Sequence, residues 1–195
     1  MFTTRTTLLA AGALTTALLL SACSGGNSGM GMGGSTPSAT AESATSNTAD
    51  VMFAQMMIPH HEQAVAMSET LLGKAAVDPR IVDLAQQIKG AQAPEITQLT
   101  TWLEEWGADQ GMSQMHHGTD GMMSDADMNA LDAATGAEAG KLFLEQMIEH
   151  HGGAIEMAKA EVADGTNPAA KAMAERIVST QSEEIATMKR ILATL

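Results

Sequence analysis

The sequence predicts an all-α fold: a four-helix bundle made of two duplicated helical hairpins, preceded by a signal peptide and a disordered tether. Three observations predict it. First, the stretch Phe53 to Ser68, Phe-Ala-Gln-Met-Met-Ile-Pro-His-His-Glu-Gln-Ala-Val-Ala-Met-Ser, returns from Phe143 to Ala158 as Phe-Leu-Glu-Gln-Met-Ile-Glu-His-His-Gly-Gly-Ala-Ile-Glu-Met-Ala. Second, the segments that follow also align. Asp78-Pro79, Leu84-Ala85, Ile88, Gln92, Glu95-Ile96 and Leu99 match Asn167-Pro168, Met173-Ala174, Ile177, Gln181, Glu184-Ile185 and Met188. Third, aromatic residues make up only 3% of the chain and Tyr is absent. Ala, Leu, Ile and Met must therefore fill the core, which suits close-packed helices better than a sheet. A single hairpin cannot bury its apolar face, and two together can.

Residues 1–22 read as a secretory signal, with Arg5 ahead of an apolar run from about Leu8 to Leu20. Leu20-Ser21-Ala22-Cys23 resembles a bacterial lipobox, in which the Cys is acylated and becomes the mature N-terminus. Cys23 is the only cysteine, so no intramolecular disulfide forms. Residues 23–49 are Gly-, Ser- and Thr-rich with almost nothing to bury, and read as a disordered tether to a membrane.

The bundle domain occupies residues 50–195, as a hairpin over 50–106, a Met/His-rich connection over 107–135 and a second hairpin over 136–195. The first helix runs from near Asp50 to about Leu72, with apolar residues at three- and four-residue spacing and Pro59 inside the pattern. Asp78-Pro79 opens the second helix, Asp as N-cap and Pro at the first helical position. Ser124 with Asp127 forms a capping box for a short helix to about Ala134. Thr135 with Glu138 forms another, opening the helix that carries the second His pair. Asn167-Pro168 repeats the Asp-Pro device and opens the last helix. The connection is long for a bundle, and a crossover of the ferritin type fits its length.

The formal net charge is −13. This argues against nucleic acid as a partner, because phosphate neutralisation needs clustered Lys and Arg. No phosphate loop, dinucleotide fingerprint or nucleophile triad is present. A carboxylate-bridged di-iron centre needs Glu three residues before each His, and Met57, Ile58, Met147 and Ile148 stand there instead.

What the sequence does offer is imidazole and thioether. Met57 lies three before His60 and four before His61, and Met147 bears the same relation to His150 and His151. Met67 and Met157 lie seven after His60 and His150. Residues three, four and seven apart share a helix face, so each copy presents a Met–His–Met line. Imidazole is the commonest protein metal ligand, and thioether shifts the preference towards Cu(I). Glu95 and Glu184 are candidates to orient the histidines through their second ring nitrogen, as are Gln92 and Gln181. The competing reading is that all four are ordinary polar edge residues and the histidines are structural. A separate cluster, Met112, Met115, His116, His117, Met122 and Met123, sits in the polar connection and offers further soft-metal contacts.

The quoted His-His signature, read twice in one chain, resembles the bacterial family called domain of unknown function 305, over roughly residues 50–195. The resemblance implies a ferritin-like four-helix bundle, usually exported. Some members are implicated in binding copper or silver through His and Met. By position that role falls on His60, His61, Met57 and Met67, and on His150, His151, Met147 and Met157.

These observations together predict an extracytoplasmic, lipid-anchored protein that binds or buffers copper, as Cu(I), without catalytic turnover. The partners expected are metal ions and the membrane. Two alternatives stay open: a redox metalloenzyme of the envelope, and an interaction module whose histidines are structural.

Overall fold

The computed structural model describes residues 45–109 and 121–195. Among the described residues there are five helices and no strand: α1 (Thr48–Leu72), α2 (Pro79–Glu105), α3 (Asp125–Ala133), α4 (Gly136–Asp164) and α5 (Pro168–Leu192). Helix α1 starts two residues before the expected Asp50. Asn47 is its N-cap, accepting from the Ala49 and Asp50 N–H groups, while the Asp50 carboxylate accepts from the Asn47 N–H. This reciprocal box satisfies donors that the first turn leaves orphaned. The helix runs unbroken through Pro59.

Asp78 and Asn167 cap α2 and α5 as expected, each followed by Pro at the first helical position. Ser124 and Asp127 cap α3 reciprocally. The predicted box at Thr135 and Glu138 does not form: Thr135 makes no side-chain cap bond. Gly136, the first helical residue, has φ +57°. A capping box needs right-handed backbone from the first helical position, and this left-handed step breaks that geometry.

Helices α1 and α2 pack as one hairpin, α4 and α5 as the other, and α1 lies against α4. Hydrogen bonds fix the direction. Asn47 Nδ2 at the start of α1 donates to the Asp164 carbonyl at the end of α4 (2.8 Å), and the Asn167 N–H beyond it donates to Asp50 (2.9 Å). The central helices α1 and α4 are therefore antiparallel. It follows that α2 and α4 run the same way, and the segment between them must travel the length of the bundle. At one end Gln55 Nε2 in the first half of α1 donates to the Asp109 carbonyl. At the other, Lys74 Nζ beyond α1 donates to the Asp132 carbonyl. This is the ferritin-like crossover.

Two apolar clusters form the core. One gathers Met67, Leu71, Ile81, Leu84, Phe143 and Met147 with Met123 and Leu131 from the crossover. The other gathers Phe53, Met57, Leu99, Trp102, Ala154, Met173 and Ile177. Each fully buried large side chain contributes about 1.5–3 kcal/mol. On all four long helices the residues between the clusters are polar. They are His60 and His61, Gln92 and Glu95, His150 and His151, and Gln181 and Glu184. The bundle thus carries a polar layer across its middle.

The crossover touches α4 at one very close point. A Cβ on Gly121 would lie 2.8 Å from the Glu149 carbonyl and 2.9 Å from the Gly153 Cα, and Gly121 itself has φ +81°. Gly121 is required there both for its backbone angle and for its lack of a side chain. Gly152 has open space around it.

Candidate metal centre

The four paired histidines come together at the crossing of α1 and α4. His61, His150 and His151 have no exposed surface and His60 is 2% exposed. The sequence left open whether the pairs share a site or stand apart. One member of each pair meets its counterpart: the His60 and His150 rings have centroids 3.7 Å apart at a 40° tilt. The second member turns away, as the helical step of about 100° requires. His61 Nε2 is 2.9 Å from Glu95 Oε2 on α2, and His151 Nε2 is 2.7 Å from Glu184 Oε2 on α5. The two halves repeat the arrangement because the two hairpins repeat the sequence.

The carboxylates fix the chemistry of the outer rings. A carboxylate accepts, so Nε2 of His61 and of His151 carries the proton. In the neutral ring the lone pair is then on Nδ1. Both Nδ1 atoms are buried and have no hydrogen-bond partner. The pKa of His150 lies well below the usual imidazole value. Burial is the main cause, followed by the neighbouring His60, His151 and His61, while an interaction with the His60 backbone acts the other way. His150 is therefore neutral at physiological pH, the state in which an imidazole can donate to a metal. Gln92 and Gln181 are buried beside this layer, and their Oε1 atoms have no hydrogen-bond partner.

Orphaned buried nitrogens are costly, at about 1–3 kcal/mol each. They fit a ligand that accepts lone pairs, and the donor set is soft to borderline. Among the described residues, no group of three His, Cys, Asp or Glu side chains is arranged to hold a metal ion. The rings of His60 and His150 pack against each other at a 40° tilt, and no third such side chain joins them among the described residues. That geometry disfavours tetrahedral ions such as Zn(II), which need four converging donors. It restricts Cu(I) less, since that ion accepts fewer ligands and takes thioether as well.

The methionines divide. Met57 and Met147 lie on opposite sides of the histidine layer, one in each apolar cluster, and both are fully buried, as is Met67. They are core side chains one to two turns from the imidazoles. Met157, the counterpart of Met67, is half-buried and lines a surface groove. In the crossover, Met123 was expected as an exposed thioether and is instead buried in the core. Gln63 holds it there, with Oε1 accepting from the Met123 N–H and Nε2 donating to its carbonyl. Met122 is half-buried. Met112, Met115, His116 and His117, like Cys23, lie outside the described residues.

Sequence reasoning missed a second polar feature. Asp50 and Glu161 are both buried where α1 meets the turn between α4 and α5. Asp50 accepts from Thr166 N–H and Oγ1 and from Asn167 N–H. Burial alone would raise its pKa, and these bonds with those from Asn47 and Glu161 together hold it below the usual carboxylate value. Glu161 moves the other way, to about 8, through burial first and the adjacent Asp50 second. The repeat gave no signal for Glu161, because Leu71 fills its place in the first copy.

Known proteins share this arrangement of helices. The family model described as domain of unknown function (DUF305) matches residues 50–192. A DUF305 protein from Streptomyces coelicolor is 34% identical, with 75% of this chain and 93% of that one covered and a TM-score of 0.71. A DUF305 fragment from Deinococcus radiodurans is 30% identical, covering 77% and 99%, with a TM-score of 0.70. CopM in its Cu(I)-bound form is 30% identical, covering 74% and 96%, with a TM-score of 0.63. CopM has also been solved in Cu(II)-bound and Ag-bound forms. No curated protein matches the chain.

Proposed function

The chain belongs to the DUF305 family, and from that premise we propose that it binds and buffers copper as Cu(I). The observation that carries this reading is the buried layer of four imidazoles. Two are in contact, and two are held by carboxylates with their Nδ1 atoms left unpartnered by the fold. His60, His61, His150 and His151 supply the donors. Glu95 and Glu184 orient the outer pair, and Gln92 and Gln181 are the further polar neighbours. Met57, Met67, Met147 and Met157 offer thioethers one or two turns away. In the crossover, Met112, Met115, His116, His117 and Met122 are additional soft contacts. The relation to CopM, solved with Cu(I), Cu(II) and silver, supports copper or a related metal as the cargo.

We place the protein outside the cytoplasm, tethered by a lipid on Cys23. The support is the signal-like residues 1–22 and the lipobox-like Leu20 to Cys23. None of the described helices is long and apolar enough to cross a membrane.

The test is titration with Cu(I) against a competing chelator. Wild-type chain is compared with a variant in which His60, His61, His150 and His151 are all Ala. The expected result is a loss of at least about tenfold in affinity. Unchanged affinity in a folded variant refutes the histidine layer as the site.

A further inference from the structure

Among the described residues, the crossover packs closely over one end of the α1/α4 face. There Met123 and α3 residue Leu131 pack over Met67, Leu71, Phe143 and Met147 and complete the core. At the opposite end, related to it by the internal repeat, the described residues form a groove of about 350 Å³. Three thioethers line it: Met52 and Met56 from α1 and Met157 from α4. Met52 is 40% exposed, an unusual degree for a large apolar side chain among the described residues. Gly153 and alanines at the wall leave the space that larger side chains would fill.

We propose that this groove is a second soft-metal site, separate from the histidine layer, in which the thioethers of Met52, Met56 and Met157 bind Cu(I) or Ag(I). Of the donors in the copper reading above it uses only Met157. Three points of geometry argue for it. Met52 and Met56 are one turn apart on one face of α1, and Met157 faces them from the antiparallel neighbour, so methionines from both helices line one cavity. The stripe is continuous with the core: Met52, Met56 and His60 are successive neighbours at four-residue spacing. Its α4 wall, Met157 and Gly153, leads back along that helix to His150. The groove therefore lies on the same two helices as the buried rings, one to two turns from them.

The wall chemistry selects the class of ion. Three carboxyl groups also line the groove: Glu161, which keeps its proton to about pH 8, Glu156, which pairs with Lys159, and Asp164. The thioethers themselves favour monovalent soft ions over Ca(II), Mg(II) or Zn(II). The flexible Met side chain suits a groove wider than an ion, because it can fold inward around one.

Silver nitrate titrated into the full chain, with isotope-labelled methionine methyl groups followed by NMR, tests this directly. The expected result is that the methyl signals of Met52, Met56 and Met157 shift together and saturate together. The shifts at the groove are lost in M52L/M56L/M157L, which keeps the apolar volume. They persist when the four core histidines are replaced, which separates this site from the histidine layer. Groove shifts in a chain whose histidine ring signals never move support the groove site and count against the core reading alone. Silver that moves only Met112, Met115 or the core methyls, or binds the triple Leu variant undiminished, overturns the groove site.

Discussion

His60 and His150 meet ring to ring, 3.7 Å between centroids, at the crossing of the two central helices. This contact is the product of duplication and direction together. Two copies of one motif place a His at equivalent positions, and antiparallel packing of α1 on α4 brings those positions to the same level. Parallel packing could also have done so, but the crossover sets the direction. It carries the chain from the Gln55–Asp109 end to the Lys74–Asp132 end before α4 begins.

A buried imidazole whose nitrogens find no partner is maintained at a cost to stability. His150→Leu keeps most of the volume and removes two buried ring nitrogens whose only hydrogen-bonding neighbour is the His60 backbone. The metal-free variant is expected to gain stability, by about 1–2 kcal/mol, because replacing an unsatisfied polar group with an apolar one of similar shape removes the desolvation penalty. Cu(I) affinity falls at the same time. Urea unfolding and chelator competition on the same preparation check both. A variant less stable than wild type without metal shows that His150 is satisfied in solution.

The two outer histidines are held alike, so their carboxylates should be equivalent. Glu95→Gln and Glu184→Gln each replace an obligate acceptor by an amide that can present its NH₂ to the ring nitrogen. Orienting partners of metal-bound His are worth roughly 10–100-fold in affinity. Each substitution is expected to weaken Cu(I) binding within that range and by a similar factor, with little change in fold by circular dichroism. A large effect from one and none from the other would falsify the symmetric reading.

Two glycines near the crossover are expected to respond to alanine with opposite signs. In Gly121→Ala the new Cβ meets backbone atoms of Glu149 and Gly153 at under 3 Å, on a residue with left-handed φ. The substitution is expected to destabilise by more than about 1 kcal/mol and to loosen the crossover from α4. Gly152 stands inside α4 with nothing within 4 Å of its missing Cβ. Alanine there gains helix propensity without a clash and is expected to stabilise by about 0.5–1 kcal/mol. Thermal unfolding of the two variants side by side checks the signs.

Much of this architecture was legible in the sequence, because the repeat reports on structure twice. The two hairpins, the Asp78 and Asn167 caps and the short helix after Ser124 follow from local chemistry, and the length of the connection pointed to the crossover. The pairing of His61 with Glu95 and of His151 with Glu184 joins matched positions on aligned helices. What stayed hidden depends on tertiary context. Met123 reads as a loop thioether until Gln63 is seen to hold its backbone over the core. Thr135 reads as a cap until the left-handed Gly136 removes the geometry. Asp50 and Glu161 lie far apart in sequence, and their counterparts in the other copy are Gly140 and Leu71, so the repeat is silent about them.

Glu161 gives the chain a pH dependence whose sign can be worked out. Its pKa rises from an ordinary 4.5 to about 8 in the folded chain, through burial and then the neighbouring Asp50 carboxylate. Between those values the folded state holds a proton that the unfolded state has released. Stability is then fully present below the unfolded pKa and falls as pH rises, until it levels off above about 8. Glu161→Gln keeps the shape and a neutral polar group at every pH. Its urea midpoint is expected to vary less than wild type between about pH 5 and pH 8, and to exceed wild type at the alkaline end. The same slope in both proteins would assign the dependence to another group. The experiment also bears on where α1 is fastened, since Asp50 holds the Thr166 and Asn167 N–H groups. Once Glu161 ionises beside it, two carboxylates share one buried corner, and the repulsion falls on the joint between the start of α1 and the α4–α5 turn. Amide exchange at Thr166 and Asn167 should therefore quicken above about pH 8 in wild type and stay slow, apart from the intrinsic base-catalysed rise, in the Gln variant.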